Sequence, residues 1–305
     1  MYVPSKSPVH RVLLKRRTPV NRLIDEVARP PWVMDDGPPR FWPYSPNNSP
    51  SLLPDRAILF TSETTLSLSK DQNSDSLSDV LDTEGLRTYL SGYTTVNASL
   101  DDALQAANAP GLDQRKPVLL LGELANPYRL QDMKMGPLPL FTVRLEGVCT
   151  TWSDGLDPRE TQPGVHHVTL ARTPGWWETV HLGMATLDQL KLIRSWIENG
   201  VRGSWRPVKL GEGELRIEHD PLLEPPSAAD IDWDGQHEVV KRAAPTPSGP
   251  SIDLGSVMAL VHTRQGCYNN RGRLARCAHL QQRAFHEGLF RRGSSHRWDS
   301  VLTVQ

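Results

Sequence analysis

The stretch VLLLGELANP, residues 118–127, decides how the rest of the chain is read. The unbroken apolar run at 118–121, led in by Lys116-Pro117, has the composition of a strand buried on both faces, and Gly122 ends it. Downstream, 140–145 (LFTVRL) alternates with period two, and 166–171 (HHVTLA) reads as another strand. Thr173-Pro174-Gly175 predicts a turn before a further strand over 178–184. The period then becomes helical in 186–197 (TLDQLKLIRSWI), with Thr186 or Asp188 near its start and Asn199-Gly200 as its stop. Beyond it, 205–210 and 214–218 read as a closing hairpin.

Working back from 118, two helices are expected. Val80, Leu81, Leu86, Tyr89 and Leu90 recur near helical spacing, and 100–107 (LDDALQAA) repeats the pattern with Ser99 as its N-cap. Ahead of them, 56–61 (RAILFT) is a short strand, and 67–78 is a serine-rich loop. The stretch 30–55 carries proline too often for a helix or a central strand, so it is an extended arm, with Trp32, Phe41, Trp42 and Tyr44 to pack against the globular surface. After 220, PPSAAD and AAPTPSGP read as a linker over 221–254. Helical spacing returns in 252–264 and 274–290, which makes 255–305 a helical tail. The expected organisation is an arm at 1–55, an α+β domain at 56–220, a linker and a basic tail.

Composition narrows the classes. The 305 residues are 38% hydrophobic and 23% charged, with 26 prolines against 22 glycines, which predicts a folded centre with irregular segments. The three cysteines, Cys149, Cys267 and Cys277, are too few for a disulfide framework, and a reducing, cytoplasmic setting is expected. No apolar run approaches the roughly 20 residues that span a bilayer, so no membrane partner is expected. Residues 1–24 hold basic residues and no acid, as transit peptides do, but prolines 4, 8 and 19 oppose the amphipathic helix such a peptide forms. The net charge of -1 conceals basic ends, +5 over 1–30 and +6 over 255–305, around a centre that carries -12. Such ends either grip polyanions or fold onto the acidic centre.

Four features stand in order between 116 and 218: the strand and Gly loop at 118–127, VRLEG at 143–147, a VTL strand with a Pro-Gly turn at 168–175, and a TLDQL helix start leading to an acid before glycine at 186–200. On these residues the segment, roughly one third of the chain, resembles the gamma-glutamylcyclotransferase-like family. Leu124 and Asn126-Pro127 are similar to the branch of that family whose loop reads Gly-Thr-Leu before an Asp-Pro or Asn-Pro. The resemblance implies an α+β fold, a small mixed β-barrel with flanking helices. It also implies a reaction in which the amine of a gamma-glutamyl substrate attacks its own side-chain amide and releases 5-oxoproline, with no metal and no cofactor. In that reading Leu121, Gly122, Glu123, Leu124 and Ala125 form the substrate loop, and Glu198 is the acid/base.

Against the family's other main form, Tyr-Gly-Ser-Asn, the loop departs at three places: Leu121 stands where the tyrosine does, Glu123 where a serine or threonine does, and Leu124, which fits only the leucine branch, where the asparagine does. Glu198 falls one residue from its expected place because Asn199 precedes Gly200. A Glu123 carboxylate about 4 Å from a substrate carboxylate costs about 4 kcal/mol at an effective dielectric of about 20. Three readings therefore stand together: an enzyme acting on a gamma-glutamyl amide, a silent relative binding a small ligand or a protein, and a nucleic-acid-associated protein using its basic ends. In the last, Tyr268, Phe285, Phe290 and Trp298 interleave with the arginines of 264–297. Cys267, Cys277, His279 and His262 match no common zinc spacing, and no metal is assigned. His166 and His167, adjacent in a strand, point to opposite faces. Trp176-Trp177 is read as hairpin packing.

Overall fold

A computed structural model describes residues 53–62, 64–70, 80–157, 165–199, 202–218, 223–262, 264–265, 267, 273–289, 296–297, 302–303 and 305. The arm expected at 1–55 lies outside these residues except for Leu53, Pro54 and Asp55. In chain order come β1 (Ile58–Phe60), β2 (Thr65–Ser67), β3 (Val80–Leu81), α1 (Thr83–Ser91), α2 (Leu100–Ala106), β4 (Lys116–Leu120), α3 (Pro127–Asp132), β5 (Leu138–Asp157) and β6 (Val165–Ala185). They are followed by α4 (Leu187–Glu198), β7 (Trp205–Val208), β8 (Glu214–Arg216), β9 (Ile231–Trp233), β10 (Glu238–Val240), β11 (Ser251–Asp253), β12 (Met258–His262), β13 (Arg264–Gln265), α5 (Gln282–Leu289) and β14 (His296–Arg297).

The fold is mixed α+β, and its main sheet is a curled half-barrel with few helices. The sheet has ten strands in the order β3-β11-β8-β5-β6-β4-β12-β7, with β1 and β2 attached at the start of β5. Its apolar contents form two clusters, and β4 shows why: Val118 and Leu120 belong to one, Leu119 and Leu121 to the other. A strand whose alternate residues are apolar on both sides must be covered on both sides. Leu130 of α3 and Ile193 of α4 pack in the first cluster; Leu86 of α1, Leu104 of α2 and Phe285 of α5 pack in the second. No helix among the described residues is long and apolar enough to cross a membrane.

The helix ends follow from local chemistry. Ser99 accepts a hydrogen bond from the Asp102 N–H at the start of α2. Thr186 and Gln189 form a reciprocal capping box on α4, and Asn199 ends that helix in the left-handed region at φ 37°. Between those stops Leu190, Ile193 and Ile197 make the buried stripe, each worth about 1.5–3 kcal/mol relative to exposure.

Four expectations are corrected. Thr173-Pro174-Gly175 is not a turn between strands: β6 runs through it, and the register jumps from Glu146↔Trp177 to Val148↔Arg172, so 173–176 form a wide bulge opposite Gly147. The segments 205–210 and 214–218 do not form a hairpin; β7 pairs with β12, whereas β8 lies between β5 and β11. The chain parts there because Gly213, at φ 82°, approaches Glu146, while the Gly211 N–H is held by the Thr303 carbonyl at 3.0 Å. The helical spacing at 252–264 is instead β11, a 3-10 turn and β12. Ala259 and Val261 enter one cluster and Leu260 the other, so both faces are apolar and no alternation marks the strand. Finally, 223–254 is packed rather than free: carbonyls of Glu224, Pro226 and Pro245 accept hydrogen bonds from Trp177, His279 and Arg144, and β11 joins the main sheet.

Buried polar groups cluster where the β6 bulge meets the segment before α5. The Glu178 carboxylate accepts from the Thr150 N–H and, at 2.9 Å, from its hydroxyl. Arg276 donates to Thr173 at 3.1 Å and pairs with Glu238 at 2.6 Å, and Cys149 Sγ lies 3.2 Å from the Thr173 hydroxyl. Burial is the chief cause that pushes the Glu178 carboxyl up, to about 7, against the opposing hydrogen bonds from Thr150 and the charge of Arg276.

Two outcomes are expected. A Cβ on Gly213 would lie 2.9 Å from the Glu146 carbonyl oxygen, in a conformation that L residues avoid, so Gly213→Ala should lower urea-unfolding stability by about 2 kcal/mol. The folded Glu178 carboxyl holds its proton more tightly than an unfolded one at 4.5, so its contribution to stability is full below 4.5 and falls as pH rises towards 7. Unfolding curves across that window should show this fall in the wild type and lose it in Glu178→Gln.

Candidate functional site

Where β4 ends, the chain makes a 3-10 turn over Gly122–Ala125, with Gly122 at φ 52°. Two loop amides are engaged inside it: Leu124 N–H donates to the Leu121 carbonyl at 3.2 Å, and Asn126 N–H to the Glu123 carbonyl at 3.0 Å. The Asn126 side chain caps α3 by accepting from the Tyr128 N–H at 2.8 Å, and Pro127, which has no N–H to satisfy, opens the helix. This geometry returns Arg129 to the loop, 3.0 Å from the Glu123 carboxylate. Their side chains are 6% and 15% exposed, so the pair is shielded; Asp132 stands 3.8 Å from the same guanidinium.

Facing the loop are Trp196 and Ile197 from the last turn of α4, His166, His167 and Val168 from β6, and Trp205 from β7. With Leu121, Glu123, Leu124 and Arg129 they line a cleft of about 40 Å³. That is room for about three waters or the head group of a small molecule. His167 meets the Trp205 indole edge-on at 5.0 Å and stacks at 6.2 Å with His262.

His166 has different partners from its neighbour. Its Nδ1–H donates to the Ser153 carbonyl at 2.8 Å, leaving Nε2 to accept from Nδ1 of His286 at 2.8 Å, and Phe285 packs on its ring. Burial lowers its pKa to about 4, so the ring is neutral at neutral pH.

The sequence-expected residues divide into three groups. Leu121, Glu123 and Leu124 line the cleft; Gly122 makes the turn, and Ala125 is buried in the core. Glu198 is not among the lining residues, although Trp196 and Ile197 just before it are. Its carboxylate accepts from Arg194 Nε at 3.1 Å and from the Gly203 N–H at 2.9 Å. The left-handed Asn199 turns the chain so that this amide comes back onto Glu198.

Sequence reasoning did not single out Arg129, Trp196 or Trp205. Arg129 had a usable signal, because Asn126-Pro127 marks a helix start and puts residue 129 in its first turn. Trp205 had none, since it reaches the cleft only through the pairing of β7 with β12. The residues weighed for zinc are held apart in function: His279 donates to the Pro226 carbonyl at 2.7 Å, while His262 packs on Trp205. Among the described residues no group of three or more His, Cys, Asp or Glu is placed to hold a metal ion.

Compared with protein-family models, curated proteins and solved structures, the chain matches none.

Removing one partner of a shielded ion pair leaves the other charge uncompensated, whereas removing both does not. Arg129→Leu should therefore destabilise the protein by about 3 kcal/mol in urea unfolding, and Arg129→Leu with Glu123→Leu should regain most of that loss.

Proposed function

We propose that this chain is a gamma-glutamylcyclotransferase-like protein that binds a small molecule in the cleft at 121–124 and does not turn over gamma-glutamyl amides. The observation that carries the reading is the position of the two acids. Glu123, in the loop that would hold a substrate carboxylate, lines the cleft as half of an ion pair, whereas Glu198, in the acid/base position, is held by Arg194 and the Gly203 amide outside the lining.

Cyclisation benefits from positioning and needs an acid/base within hydrogen-bond reach of the reacting groups. A carboxylate engaged by Arg194 and the Gly203 amide outside the cleft lining does not meet that need, and one at Glu123 opposes the substrate's own charge. The α+β sheet, the glycine at the end of β4 and the acid at the end of α4 support the family reading. An enzymatic reading has one observation in its favour: Glu198 directly follows two lining residues and is largely shielded. The nucleic-acid reading is weakened because Arg273, Arg276 and Arg283 pair with carboxylates of the chain itself.

Release of 5-oxoproline from a panel of gamma-glutamyl amides and peptides separates these readings. The wild type should release none, and Glu123→Ser should be the variant in which any turnover is gained. Turnover by the wild type that disappears in Glu198→Gln would establish the enzyme instead.

A further inference from the structure

We infer that His166 is an acid-sensitive latch for α5: at neutral pH it holds the helix on the sheet, and on acidification it lets the helix go. Three residues of α5 meet this one side chain and its backbone. The His166 N–H donates to the Gln282 side-chain oxygen at 3.1 Å, the Phe285 ring packs edge-on against the imidazole at 5.0 Å, and His286 Nδ1–H donates to His166 Nε2 at 2.8 Å. Positions 282, 285 and 286 fall on a single face of the helix, and Gln282 and Phe285 are buried.

The contact works in one protonation state. His166 gives its Nδ1 proton to the Ser153 carbonyl and offers a bare Nε2 to His286. A proton added at Nε2 turns that acceptor into a donor facing another ring nitrogen, and it puts an imidazolium on a residue that is 3% exposed. The surrounding groups supply no counter-charge. β5 presents the uncharged Ser153; on β6, His167 packs with Trp205 and His262; on α5, Arg283 and Glu287 pair with each other in solvent; across the cleft, Glu123 is bonded to Arg129. Burial, opposed by the bond to Ser153 and helped by the charge of His286, accordingly holds the folded ring at about 4, below its ordinary 6.5. The latch is therefore complete above 6.5 and weakens as pH falls towards 4.

With eight residues, α5 is too short to persist alone in water, so a helix that leaves the sheet also unfolds. Because His166 lines the cleft on its other side, release takes the backing from one cleft wall. The latch itself does not depend on what the cleft binds.

The experiment is hydrogen exchange of the full chain by mass spectrometry from pH 7 to 4.5, with rates corrected for the intrinsic pH dependence of amide exchange. Protection in the α5 peptide should fall about tenfold or more across that range, while peptides from β4 and α4 keep theirs. Glu178 acts with the opposite sign, so it does not imitate this loss. His166→Gln retains a donor and an acceptor but does not titrate, and its α5 should stay protected at pH 4.5. His286→Asn, at a half-buried position, is the independent variant: its amide can donate to a neutral His166 or accept from a charged one, and the loss should shrink. Protection of α5 that is constant with pH in the wild type overturns the latch. So does a loss of the same size in both variants, or one shared equally by α5, α4 and β4.

Discussion

Two neighbouring strands of 20 and 21 residues, β5 and β6, cannot pair along their whole length and also wrap around a core unless their pairing is interrupted. Of its two interruptions, one lies between Trp152 and Leu156, and the larger on the β6 side is placed where Gly147 on one strand faces 173–176 on the other. Before it, β5 borders β1 and β8. Beyond it, Thr151 bridges to Arg276 and the Trp152 N–H is taken by the Ala275 carbonyl, so the same strand serves two different sets of neighbours. The bend is also why Glu178, Arg276 and Thr173 meet inside the protein.

The cleft depends on that bend as well. His167 and Val168 lie in the arm of β6 before the bulge, whereas the loop at 121–125 follows β4, which pairs with the arm after it. A straight β6 would carry those residues away from the loop; a curled one returns them. Arg129 then closes the floor, because the Asn126 cap fixes where the first turn of α3 points.

What the sequence made legible was local. The caps at Ser99, Thr186 and Asn199 are short-range chemistry, and each is found where the residues predicted it. The apolar run before Gly122 and the alternation at 140–145 were readable for the same reason. The Pro-Gly at 174–175 misled because a wide bulge uses the residue types that a turn uses. The stretch 252–264 misled because a strand apolar on both faces has no period to detect. In the site, the loop could be picked out from its position after a buried strand, but the place of the Glu198 carboxylate depended on an amide five residues later, and Trp205 on a strand pairing more than fifty residues away.

The position of β12 sets an order of assembly. It lies between β4 and β7, in parallel with one and antiparallel to the other, although it follows them in the chain by some 140 and 50 residues. During synthesis β5 and β6 can pair as soon as both have emerged, but the sheet stays divided until residue 262 leaves the ribosome. Until then β4 and β7 each present an open edge, the kind of edge that recruits other chains. Trp205, which the pairing with β12 holds in the cleft wall, is thus among the last lining residues to be placed.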